Sequence, residues 1–151
     1  MVRKVLGVIV GYIVMALFVF LTFTGAYLAL GAEQAFKPGN YNVSLRWIAI
    51  SIVLGLIAAI IGGCVCALIS RSWRASQVLA GLVLVLGLLV AIPALTANDA
   101  RPNMRPRDVP NLQAMQNART PKWFALLNPI VGAVGVLVGA GLRRKISKSS
   151  E

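Results

Sequence analysis

The sequence predicts an all-α integral membrane protein, a bundle of four transmembrane helices in a single domain that covers residues 1–151. Composition is the first observation behind this prediction: 58% of the residues are hydrophobic and only 13% are charged, whereas soluble domains carry about 25% charged residues. The second is charge patterning, because the charged residues form short clusters between long uncharged runs. The third is length, since these runs are long enough to cross a hydrocarbon layer of about 30 Å.

The four uncharged runs define the predicted spans. The first covers about residues 5–32; it exceeds the roughly 7–15 apolar residues of a signal peptide and is therefore interpreted as a retained helix. The other spans cover about residues 47–69, 78–97 and 123–142. Tryptophan rings favour the headgroup layer, and the three tryptophans stand at predicted span ends: Trp47, Trp73 and Trp123.

An even number of spans places both termini on one side of the membrane. Lysine and arginine divide almost equally, with eight on the side of the termini and seven on the other, but the eight lie in much shorter segments. Because positive charge in short segments is retained in the cytoplasm, we expect both termini to be cytoplasmic. The eight are Arg3, Lys4, Arg71, Arg74, Arg143, Arg144, Lys145 and Lys148.

Small residues recur every four positions and predict where helices approach closely, since packing in lipid depends on close backbone contact. We interpret six of them as helix-packing residues. Such faces either close the four-helix bundle or contact a partner subunit or a second copy. The six are Gly55, Ala59, Gly63 and Ala67 in the second span and Gly135 and Gly139 in the fourth; further pairs are Gly7 and Gly11, Gly25 and Ala29, and Gly87 and Ala91.

The basic, proline-rich loop at residues 98–122 is the main hydrophilic segment. Prolines keep its ends extended, while Asp108–Arg119 could form a short helix on the membrane surface. Arg101, Arg105 and Arg107 are the candidate partner or lipid contacts. Three roles stay open for them: binding anionic headgroups, docking to an acidic protein surface, and binding a substrate.

The residue types present give little basis for catalysis or cofactor binding. The chain has no histidine, which removes the commonest general base and metal ligand. Cys64 and Cys66 lie two apart in a predicted helix and so point to different sides, unsuited to sharing a metal or forming a disulfide. No span contains Asp, Glu, Lys or Arg, the residues that usually carry ion coupling. We expect no enzyme activity, no metal and no cofactor.

The net charge of +11 favours a lipid bilayer with anionic headgroups as the partner, and not nucleic acid, because the basic residues flank apolar spans. The segment Ile61–Arg71 at the end of the second span and Trp123 at the start of the fourth resemble the small, uncharacterised four-span proteins of bacterial inner membranes. The resemblance implies a location in the bacterial inner membrane and implies no activity.

The expected function is a non-catalytic accessory or scaffolding subunit of a larger membrane complex, associating with partner subunits or with itself. The alternative is a small oligomeric transporter or channel.

Overall fold

A computed structural model describes residues 1–96, 104, 113–114 and 117–149, apart from the side chains of residues 32 and 147–149. The described chain forms long helices, and each contains a stretch long and apolar enough to cross a membrane. The predicted all-α bundle of four membrane helices is therefore confirmed. The helices are α1 (Val2–Ala35), α2 (Leu45–Ser70), α3 (Trp73–Thr96) and α4 (Lys122–Ser149).

The helices are longer than the predicted spans. α3 begins at Trp73, so the turn between α2 and α3 contains only Arg71 and Ser72. α4 continues to Ser149, which places Arg143 and Arg144 on the helix itself. Span prediction follows the apolar residues alone, whereas helices continue into the headgroup layer because arginine and lysine are good helix formers there.

Local chemistry sets the helix boundaries at the two short connections. Gly31 interrupts α1 with φ 70°, ψ 166°, a conformation that glycine adopts without steric cost. Ser44 caps α2: its Oγ accepts a hydrogen bond from the N–H of Trp47 at 3.1 Å and donates one to the carbonyl of Gln34 at 2.6 Å. α2 ends at Arg71, whose backbone is left-handed and whose N–H donates to the carbonyl of Ala67 at 3.0 Å.

Helices that follow one another in the chain run antiparallel. α2 lies between α1 and α4 and runs parallel to α4, with Gly55 beside Asn128 and Ile60 beside Gly139. α3 packs mainly on α4 and touches α1 and α2 more lightly. The start of α1, the end of α4 and the Arg71–Ser72 turn lie together at one end, here called the terminal end. The opposite end carries the α1–α2 connection and the long α3–α4 loop, and is called the loop end.

The bundle contains two buried clusters, one toward each end. Near the loop end, aromatic rings pack edge to face, with Trp47 at 6.0 Å from Phe23 and 5.8 Å from Tyr27. Toward the terminal end, Leu79, Val136 and Cys66 are fully buried. Most other apolar side chains face outward, as expected for a surface in contact with lipid tails.

Candidate functional site

The seam between α2 and α4 depends on two reciprocal glycine contacts. A Cβ atom added to Gly63 would overlap the backbone carbonyl of Val136, and one added to Gly139 would overlap that of Ile60. Each helix therefore presents a glycine to a carbonyl of the other. Contact this close lets Cα–H groups approach carbonyl oxygens and maximises dispersion between the helices.

A second reciprocal contact joins α2 to α1. A Cβ on Gly11 would lie 2.9 Å from the carbonyl oxygen of Gly62, and a Cβ on Gly62 would lie 2.9 Å from that of Gly11. The consecutive residues Gly62 and Gly63 thus serve the two opposite neighbours of α2. The four-residue period selects Gly63 but not Gly62; the two adjacent glycines are the sequence feature that could have indicated the second contact.

The six predicted packing residues occupy three different environments. Ala59, Gly63, Gly135 and Gly139 are all buried in the α2–α4 seam, with Ala59 Cβ 2.7 Å from where a Cβ on Gly135 would stand. Gly55 lies beyond the seam toward the loop end, where it lines a cavity. Ala67 lies at the other end of the seam and lines a separate pocket at the terminal end.

Proline takes part in the contact between α3 and α4. The ring of Pro129 packs against Gly87, where an added Cβ would lie 2.8 Å from the Cβ and Cγ atoms of the ring. One turn further on, a Cβ on Gly132 would lie 3.0 Å from Val83 Cγ1. α4 is continuous through Pro129, so the proline fills a groove in its neighbour without ending its own helix.

One small-residue pair meets no other helix. A Cβ added to Gly25 has no neighbouring atom within 4 Å, and both Gly25 and Ala29 are exposed on α1. Leu21 and Leu28, on the same outer surface, are 66% and 70% exposed. This part of α1, formed by Leu21, Gly25, Leu28 and Ala29, is here called the open α1 face.

At the loop end, two described residues between α3 and α4, Met104 and Arg119, contact the α1–α2 connection. The N–H of Arg119 donates to the carbonyl of Tyr41 at 2.8 Å, and the carbonyl of Arg119 accepts from the N–H of Val43 at 3.2 Å. Isolated bridges also pair Asn42 with Arg119 and Asn40 with Met104. The predicted contacts Arg101, Arg105 and Arg107 lie outside the described residues, as does most of the predicted short helix, in which residues 113–114 are helical.

A cavity of about 620 Å³ opens between the four helices, on the loop-end side of the buried Leu79. Its walls are mostly apolar and include exposed side chains such as Phe20 and Val90, so the cavity opens onto the lipid-facing surface. Asn128 projects a polar amide among these walls, 3.7 Å from where a Cβ on Gly55 would stand. Tyr12, Thr120 and Asn128 are the polar residues that line this otherwise apolar cavity.

The two cysteines face different neighbours. The Sγ of Cys64 donates to the carbonyl of Gly139 on α4 at 3.0 Å, whereas Cys66 is buried, with Ser76 Oγ on α3 at 4.0 Å from its Sγ. Both thiols are free. Within the part of the chain that the structure describes, no three His, Cys, Asp or Glu side chains come together in a group able to hold a metal ion.

Comparison with known proteins adds no relative: no family model matches the chain, and no curated protein or solved structure matches it. The four apolar helices define an integral membrane protein of the small four-span class. Its function must therefore be argued from its own surfaces.

Proposed function

We propose that this protein is a non-catalytic accessory or scaffolding subunit that packs against a helix of another membrane protein. The observation that carries the proposal is the open α1 face, a small-residue surface that none of the described helices covers. Helices in lipid associate through such surfaces, because a small residue lets the partner backbone approach closely. The partner surface would be an apolar transmembrane helix that places its own side chains over Gly25 and Ala29.

The contrast with the other small-residue pairs supports this proposal. Gly11, Gly63, Gly87 and Gly139 each lie so close to another helix that an added Cβ would collide with it. Those residues have a role inside the bundle. Gly25 has none there. Unlike the equally open Gly81, it is followed four residues later by a second exposed small residue, Ala29.

A small transporter or channel is the second candidate, and the cavity beside Asn128 is the observation that favours it. A transported solute needs a path across the whole bundle, whereas this cavity lies on one side of Leu79 and Val136, which are fully buried. Transport would require those side chains to separate. Solute-dependent flux through the purified protein in liposomes would support this candidate and argue against a purely scaffolding role.

We further propose that the protein lies in a bacterial inner membrane with both termini in the cytoplasm. The terminal end supports this orientation, because its described charged side chains are all basic and lie in short segments or on helix ends. Alkaline phosphatase fused after Glu151 should be inactive in a bacterial host, and a fluorescent protein fused there should be bright. The reverse pattern would contradict the proposed orientation.

Two leucine substitutions of matched chemistry test the subunit proposal. Gly25→Leu should abolish co-purification of the partner, because the side chain would fill the space that the partner helix needs. Gly81→Leu is the control, since Gly81 is also exposed on a helix and also has open space around it. Both variants should fold, since a Cβ at either position has no neighbouring atom within 4 Å. Equal co-purification by wild type and Gly25→Leu would refute a role for the open α1 face.

A further inference from the structure

A second pocket, of about 510 Å³, lies at the terminal end, away from the open α1 face. It is enclosed by the end of α2, the Arg71–Ser72 turn, the start of α3 and the last turns of α4. The side chains that give it its character are Leu68, Arg71, Ser72, Trp73, Arg143 and Arg144.

Three arginines from two distant parts of the chain line this pocket. Arg71 comes from the turn after α2, while Arg143 and Arg144 come from α4. Glu33 is the one carboxylate side chain within the described residues, and it lies on α1 at the loop end. The three arginines therefore have no acidic partner in the described protein, and their mutual repulsion favours an anion between them.

Two of these arginines have a distinctive local structure. The Arg144 guanidinium carbon lies 5.4 Å from the ring centroid of Trp73, a cation–π contact that restrains the side chain. Arg71 has φ 50°, ψ 28° and is the one non-glycine residue of the described chain with positive φ. Helices usually end in this conformation with glycine, so the arginine side chain occupies a backbone position that disfavours it.

The start of α3 adds to the positive potential. α3 begins at Trp73, on the wall of the pocket. The N-terminal end of a helix carries a partial positive charge and free N–H groups, which bind phosphate in many proteins. The three arginines and the N-terminal end of α3 thus both make the electrostatic potential in the pocket more positive.

The apolar side of the pocket indicates that the anion is attached to a lipid. Leu68 is 55% exposed and belongs to the membrane-spanning part of α2. The pocket therefore lies at the boundary between hydrocarbon and water, with arginines on the water side and leucine on the lipid side. Trp73 at its wall is typical of this boundary. A phospholipid would place its phosphate at the arginines and its acyl chains along Leu68.

We propose that this pocket is a binding site for the headgroup of an anionic phospholipid, with Arg71, Arg143 and Arg144 as the phosphate ligands. The site is independent of any partner subunit. It is also more specific than the general attraction of a basic protein for acidic lipid, because it depends on named arginines and not on total charge.

Native mass spectrometry of the full-length protein in detergent, with added phosphatidylglycerol or phosphatidylcholine of identical acyl chains, tests the proposal. Each arginine near a membrane surface contributes about a fivefold gain in affinity for acidic lipid. With three arginines at the site, we expect wild type to bind one phosphatidylglycerol about 100-fold more tightly than phosphatidylcholine. Arg143→Gln/Arg144→Gln should weaken phosphatidylglycerol binding roughly 25-fold.

The matched control is Arg3→Gln/Lys4→Gln, which removes two charges from the same end of the protein but none from the pocket. The control should bind phosphatidylglycerol as wild type does. Equal losses in the two double variants would overturn the proposal, as would equal binding of the two lipids by wild type. Arg71→Gly gives a second test that does not depend on folding of the α4 variant, and unchanged binding by it would also count against the site.

Added inorganic phosphate separates a lipid site from a free-anion site. Millimolar phosphate should leave the bound phosphatidylglycerol in place, because the free ion gains nothing from the apolar side of the pocket. Displacement of the lipid by phosphate at equal concentration would overturn the assignment to a lipid headgroup.

Discussion

Gly63→Ala is the substitution that most directly tests the packing of α2 on α4. The new methyl group would overlap the backbone carbonyl of Val136, which cannot move without moving α4. The helices would have to separate by on the order of 1 Å, a gap that forfeits a quarter to a half of each dispersion contact along the seam. Overpacking of this kind costs about 1–3 kcal/mol, and we predict a loss of about 2 kcal/mol.

Gly81→Ala provides the control because it makes the same chemical change in a helix where a Cβ meets no neighbouring atom within 4 Å. Replacing glycine by alanine there should stabilise the helix by roughly 0.5–1 kcal/mol. Reversible unfolding in mixed micelles of increasing SDS fraction, followed by circular dichroism, measures both variants. If Gly63→Ala is as stable as Gly81→Ala, the proposed close contact between α2 and α4 is wrong.

Three further substitutions test the left-handed residue after α2, the aromatic cluster at the loop end and the contact between α3 and α4. Arg71→Gly should raise the free energy of unfolding by about 1 kcal/mol, because glycine adopts the left-handed backbone without strain; a less stable variant in the same SDS titration would contradict this. Tyr27→Ala should cost about 3 kcal/mol by removing a buried ring from the cluster at the loop end, and an unchanged unfolding midpoint would argue against that cluster. Gly87→Ala should destabilise by about 1–2 kcal/mol because its methyl group would press on the ring of Pro129, and wild-type stability would argue against that contact.

The number and type of the helices could be predicted from the sequence because long uncharged apolar runs alternate so clearly with short charged clusters. Four uncharged runs in a chain with 58% hydrophobic residues have few other structures available. The helix ends were less predictable. Hydropathy falls at the headgroup layer, whereas the backbone of α4 continues as a helix to Ser149, since nothing in a run of arginine and lysine stops it.

The assignment of small residues to particular neighbours could not be made from spacing alone. Gly63 and Gly139 belong to recurring small-residue rows, but so do Gly25 and Ala29, which no other helix of the chain covers. Which row is buried depends on how each helix is rotated in the bundle. That rotation is set by all the contacts together, so the open α1 face becomes visible only in three dimensions.

The pocket at the terminal end was also hidden in the sequence. Arg71 and Arg143 stand 72 positions apart, and in the sequence each is one of several basic residues that flank the apolar spans. The shortness of the Arg71–Ser72 turn brings the end of α2 and the start of α3 beside the last turns of α4. A count of basic residues predicts affinity for acidic membranes but not a site at which three of them meet.

The central claim, that this protein is a subunit of a larger membrane assembly, is tested most directly by its mass in the native state. The protein should be purified from its own membrane in a gentle detergent and examined by native mass spectrometry. The account predicts a stoichiometric complex that contains at least one other membrane protein. A lone monomer or small homo-oligomer that persists across several detergents would contradict the claim and make transport the leading function to test.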